Sequence, residues 1–172
     1  MKKQVPRKNY VVLAVVVALT VLAVFYARNW YIMAKEYNSD NSPILKAISE
    51  INPDEINNYT LENPKFILYT SSGLNPNIKG FESKFKNYVI DKNLSSNMIY
   101  VNTENINLNE FNNELKEYAI NDSLKTQINS DENVDMYIFE NSKIIHVIEN
   151  ANKLEIKQID TLFKSYGMLD NA

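Results

Sequence analysis

KFILYTSSGLNPNIKGFESKF, residues 65–85, changes its hydrophobic period halfway along. Lys65–Thr70 is a continuous apolar run, the pattern of a strand buried on both faces. Ser71, Ser72, Gly73 and Leu74 then make a turn, and Asn75-Pro76 opens a helix. Ile78, Phe81, Phe85, Tyr88 and Val89 recur at helical spacing and form its apolar face. Asn97–Val101 reads as a second strand, so strand, crossover helix and strand predict a right-handed parallel βαβ unit.

Towards the C-terminus, Asn107 and Glu110 open a helix with Leu108, Phe111, Leu115, Tyr118 and Ala119 on one side. Residues 120–133 are polar, with room for one or two more helical turns at Leu124 and Ile128. Asp135–Glu140 and Lys143–Glu149 flank Asn141-Ser142, an antiparallel hairpin signal. Asn152 and Glu155 are read as caps of a last helix, which buries Ile156, Ile159, Leu162, Phe163 and Tyr166 and ends at Gly167. On the other side of the opening stretch, Pro43–Ile51 is read as holding a short strand. Asn52-Pro53-Asp54-Glu55 then starts a brief helix through a capping box.

This order of elements resembles the thioredoxin fold over 43–169: a βαβ unit, a helix, an antiparallel hairpin and a C-terminal helix. KFILYTSSGLNPNIKGFESKF is similar to the thioredoxin strand, active-site turn and following helix, and NVDMYIFENSKIIHVIE (133–149) to the segment carrying its hairpin. The resemblance extends to small anchored thioredoxin-like proteins of Gram-positive bacteria, including the bacteriocin transport accessory-like group. In thioredoxins a CxxC sits where a helix N-terminus lowers a thiol pKa. The resemblance places those two positions near Leu74 and Asn77, and the expected cis-Pro near Val134. The chain has no Cys, so it has no thiol for disulfide exchange, and no Pro lies near Val134. What the resemblance implies for this chain is a degenerate turn of Ser71, Ser72, Gly73, Leu74, Asn75 and Asn77, with Val134 beside it, as a surface for an extended peptide.

Other chemistries have weaker signals. Ser71 and Ser72 lie at a strand-to-helix turn, loosely as in a nucleophile elbow. The one His, His146, alternates with Ile144 and Ile148 as if on the same strand face, which favours a packed side chain over a general base. Glu110, Glu114 and Glu117 lie opposite the Leu108/Phe111/Leu115 stripe and read as a solvated face. No His-rich, EF-hand or phosphate-loop pattern is present, and no metal or cofactor is expected. Of the tyrosines, Tyr59 has the least claim to a core position.

The N-terminal end supplies an address. Tyr10–Tyr26, YVVLAVVVALTVLAVFY, has no charge, Pro or Gly, and residues 10–31 are read as a transmembrane helix with Tyr10, Tyr26, Trp30 and Tyr31 towards its interfaces. A cleaved signal peptide would need a small residue at −3, where cutting after Ala27 would place Phe25. Lys2, Lys3, Arg7 and Lys8 precede the segment against Arg28 and Lys35 after it. That bias expects residues 1–9 in the cytoplasm and, after a linker at 32–42, a domain at 43–172 outside the membrane. All 21 Asp/Glu lie from Glu36 onward against 12 of the 18 Lys/Arg, so this part carries −9, a poor match to nucleic acid. The expected function is a single-pass membrane protein displaying a redox-inactive, non-enzymatic domain, a protein-binding or accessory module for another envelope or membrane protein. The alternative is an enzyme, a hydrolase or a redox protein using a partner's thiol.

Overall fold

The computed structural model describes residues 7–37, 42–73, 75–129 and 133–169. The chain divides into two units, Met1–Asn38 and Ser39–Ala172. The first is one helix, α1 (Arg7–Tyr37). Within it Asn9–Tyr31 is long and apolar enough to cross a membrane, and none of that stretch is buried. Its 23 residues rise roughly 35 Å, more than the ~30 Å of a hydrocarbon core. Thr20, inside the apolar run, donates its hydroxyl to the Val16 carbonyl at 2.9 Å. The helix does not stop at Tyr31. It runs on through the linker expected at 32–42 as far as Tyr37, because Met33-Ala34-Lys35-Glu36 contains no breaker.

The second unit is a mixed α/β domain in three layers. In chain order its elements are β1 (Ser49–Glu50), α2 (Ile56–Glu62), β2 (Lys65–Ser71), α3 (Pro76–Asp91), β3 (Met98–Asn102), α4 (Leu108–Tyr118), α5 (Asp122–Gln127), β4 (Asp135–Glu140), β5 (Lys143–Ile148) and α6 (Ile156–Ser165). The five-stranded sheet has the order β1-β3-β2-β4-β5. β1, β3 and β2 are parallel, while β4 runs antiparallel to β2 and β5 antiparallel to β4. The parallel βαβ unit, the hairpin and the terminal helix therefore occur as expected, and the domain is thioredoxin-like.

β2 lies second from neither edge but in the middle of the sheet, and Phe66, Ile67, Leu68 and Tyr69 are all buried. Alternate residues feed two cores. Ile67, Tyr69, Met136, Ile138 and Ile148 meet Ile78, Phe85 and Val89 of α3 and Ile159 and Phe163 of α6. Phe66, Leu68, Tyr137 and Phe139 meet Ile56 of α2, Phe111 and Leu115 of α4 and Leu124 of α5. Each such side chain contributes about 1.5–3 kcal/mol of burial.

Local punctuation explains the boundaries. Asn141 and Ser142 both have positive φ (51° and 61°), as a two-residue hairpin whose twist matches its strands requires. Gly167 (φ 64°) closes α6: Met168 N–H donates to Phe163 C=O (2.8 Å) and Gly167 N–H to Lys164 C=O (3.1 Å).

The short strand expected within Pro43–Ile51 is β1, two residues long and preceded by a 3-10 turn at Pro43–Lys46. Two local expectations need correction. Asn152 does not cap α6; it lies in a 3-10 turn and accepts from Val134 N–H (3.3 Å), leaving Glu155 and Gln158 as the capping pair. His146 does not share a face with Ile144. Ile138 pairs with His146 but Phe139 pairs with Ile144, so Ile145 is an extra residue in β5. That bulge turns Ile144 towards one core and Ile148 towards the other.

Candidate functional site

β2 ends and α3 begins at the turn singled out from the sequence, and the structure draws its polar groups inward. Ser71 is fully buried. Its hydroxyl donates to Glu82 Oε1 at 2.8 Å, and its carbonyl accepts from Thr103 N–H (3.0 Å) and from the Tyr100 hydroxyl (3.1 Å). Ser72 is half-buried and its carbonyl accepts from Asn75 N–H at 3.1 Å. Gly73 is buried, and its N–H faces Asn102 Oδ1 at 3.4 Å. A Cβ at Gly73 would meet the Tyr100 hydroxyl at 2.9 Å, closer than real side chains approach, so the turn needs glycine there for space. Leu74 lies outside the described residues. Asn75 caps α3 by accepting from Asn77 N–H (3.0 Å), as expected, while Asn77 itself is exposed.

Glu82 organises this pole, and the reading of the sequence missed it. It is buried on α3, nearly two turns into the helix, and three hydroxyls converge on its carboxylate. Ser42 donates to Oε2 (2.5 Å), and Ser71 (2.8 Å) and Tyr69 (3.1 Å) donate to Oε1. Burial pushes the Glu82 carboxyl upward, while the hydroxyls of Ser42, Ser71 and Tyr69 and the charge of Lys79 pull the other way. The Tyr69 phenol is driven well above its ordinary value, first by burial and then by Glu82. Tyr100 is raised as well, chiefly by burial. The carboxylate thus joins the segment entering the domain (Ser42), the end of β2 (Ser71) and the body of α3. The signal was present in the sequence: 78, 81, 82, 85 and 89 follow the i, i+3, i+4, i+7 rule, and Glu82 fills the i+4 place.

Val134, at the position the resemblance gives to a cis-Pro, is fully buried. Its N–H donates to Asn152 Oδ1 (3.3 Å) and its carbonyl accepts from Ala151 N–H (2.7 Å). Both of its backbone groups are therefore engaged within the domain. There is no cis peptide bond among the described residues.

The remaining chemical candidates lie apart. His146 Nδ1 pairs with the Tyr166 hydroxyl at 3.0 Å, the two rings stack at 4.3 Å, and burial lowers the imidazole pKa. Its partner is a tyrosine of the terminal segment and neither Ser71 nor Ser72. Among the described residues no group of three or more His, Cys, Asp or Glu is arranged to hold a metal ion. Glu110, Glu114 and Glu117 are exposed, as expected of a solvated face. However, Glu114 and Glu117 border a groove of about 330 Å³ between α2 and α4, with Pro53, Asp54, Ile56, Asn57, Phe111, Leu115 and Tyr118. Tyr59, half-buried on α2, packs edge-on against Phe66 at 4.9 Å.

No protein-family model and no curated protein matches the chain. Among solved structures it is similar to thioredoxin f2 of Chlamydomonas reinhardtii, at 9% identity and a TM-score of 0.48 over 69% of this chain and 95% of that one. It is similar also to mitochondrial thioredoxin 3 of Saccharomyces cerevisiae in its oxidized form, at 11% identity and a TM-score of 0.48 over 71% and 98% of the two chains. This chain has no cysteine.

Proposed function

We propose that this protein is a membrane-anchored, non-enzymatic thioredoxin-like module that binds and positions another envelope protein. The observation that carries this reading is the pairing of the apolar Asn9–Tyr31 helix with a thioredoxin-like domain that has no thiol. Four cations before the anchor against two after it support a cytoplasmic N-terminus and an extracytoplasmic domain. The element order also supports kinship with the anchored, bacteriocin transport accessory-like proteins of Gram-positive bacteria. Glu82 takes up the Ser71 hydroxyl at the turn together with those of Ser42 and Tyr69, which supports contact over reaction as the module's role.

Reporter fusions after Lys35 and after Ala172 test the topology, and both are expected to report an outside location. A cytoplasmic C-terminus would overturn the reading. Photo-cross-linking of the full chain in intact cells, from probes spread over the domain surface, tests the binding role. The expected result is a discrete adduct with one membrane or envelope protein, and the absence of any adduct from every position would remove that role.

A further inference from the structure

From the groove between α2 and α4 we infer that the domain docks a cationic amphipathic segment of its protein partner. This rests on the binding-module reading and names the chemistry of what is bound. The accessible apolar surface of the groove is half-buried Pro53 and Tyr118, lying over the core residues Ile56, Phe111 and Leu115. It continues past Phe111 into a second hollow of about 210 Å³ that adds Ile106 and Glu110. The two share Pro53, Asp54, Phe111 and Glu114, so they form one channel along α4. From Asn107 to Tyr118 that channel extends on the order of 16 Å, room for about three helical turns.

Close packing of α2 on α4 would require bulky apolar side chains where the chain has Asp54 and Asn57, and the gap remains open. Its border has one sign of charge: Asp54, Glu110, Glu114 and Glu117 line it and no Lys or Arg does. Glu110, Glu114 and Glu117 follow one another at four and three residues, roughly 6 and 4.5 Å along the helix axis. Lys or Arg side chains on one face of an amphipathic segment match that spacing while its apolar residues enter the groove. An anionic lipid surface would be repelled by the same border.

The test uses the full chain in phosphatidylcholine nanodiscs and a labelled nonapeptide of alternating Lys and Leu clusters, with its Glu/Leu counterpart as control. Asp54→Lys/Glu110→Lys/Glu114→Lys is compared with Glu149→Lys, an exposed acid outside the groove, so that peptide binding to lipid cancels. The triple variant is expected to bind the Lys/Leu peptide at least tenfold more weakly than Glu149→Lys, and the Glu/Leu peptide to bind neither. Equal binding by the two variants would overturn the inference. In intact cells, a photo-cross-linker at Asn57 is expected to capture a Lys/Arg-rich amphipathic segment. Capture from Asn77 but not from Asn57, or capture of a second copy of this chain, overturns the docking site and leaves the binding-module reading standing. Silence from both positions and from the rest of the surface overturns both.

Discussion

The pole at the start of α3 and the groove between α2 and α4 differ in how they treat polar groups. At the pole, a buried carboxylate draws in three hydroxyls and the turn closes over them. At the groove, four exposed carboxylates surround the half-buried apolar side chains of Pro53, Ile106 and Tyr118. The hydroxyls of the pole are spent on structural hydrogen bonds, and the proposed docking surface lies elsewhere. Unpaired apolar area with a charged border favours association, whereas a satisfied buried network favours only the fold that contains it.

The largest effect should come from breaking the pole. Glu82→Ala removes the carboxylate acceptor of the Ser42, Ser71 and Tyr69 hydroxyls, and chemical denaturation should show a loss of about 2–3 kcal/mol. A loss under about 0.5 kcal/mol, the range of ordinary surface changes, would mean the network does not hold the turn. Charge reversal at Asp54 and Glu114 should shift stability by less than about 0.5 kcal/mol because both are exposed, while weakening the cationic probe severalfold. If instead it unfolds the domain, the groove is part of the core and the contrast fails. Asn75→Ala removes the α3 cap and should cost about 1 kcal/mol, read as a lower unfolding midpoint with unchanged partner capture.

The smallest effects are pH slopes of opposite sign. The folded-state pKa of Glu82 is raised, so the folded protein holds that proton more tightly than the unfolded chain does. Between the ordinary carboxyl value and the folded one, its contribution to stability increases as pH falls, and Glu82→Gln should flatten that slope. The folded-state pKa of His146 is lowered by burial. Its contribution is complete above the ordinary imidazole value and is lost as pH falls through the folded one, a slope that His146→Gln should remove. Equilibrium unfolding from pH 4 to 8 separates the two, and slopes that survive these substitutions would assign the pH dependence to other groups.

What could be read from the sequence follows from periodicity. β2, α3, β3 and the hairpin were legible because buried strands are apolar throughout and helices repeat every three to four residues. The caps at Asn75, Asn107 and Gly167 follow from side-chain and backbone chemistry that is local. The bulge at Ile145 left no trace, since in KIIHVI an inserted apolar residue looks like its neighbours. Glu82 occupied a core position in the helical repeat, but a carboxylate reads as surface unless its distant donors, Ser42 and Tyr69, are known. The groove was hidden for a similar reason: Glu110, Glu114 and Glu117 read as a solvated face, and only the packing of α2 beside α4 places an apolar channel between them. Ser71 and Val134 take inward roles that tertiary contacts alone decide.

The central claim is that the turn is a closed structural element. Amide hydrogen exchange on the full chain tests it most directly, at Gly73, Asn75 and Thr103, whose N–H groups bond to Asn102 Oδ1, Ser72 C=O and Ser71 C=O. The account predicts that these amides exchange with the protection of the β2 core, and that Glu82→Ala speeds them by roughly 30-fold or more, the equivalent of 2 kcal/mol. Exchange of all three at the rate of an unstructured peptide in the unaltered protein would show an open turn and contradict the claim.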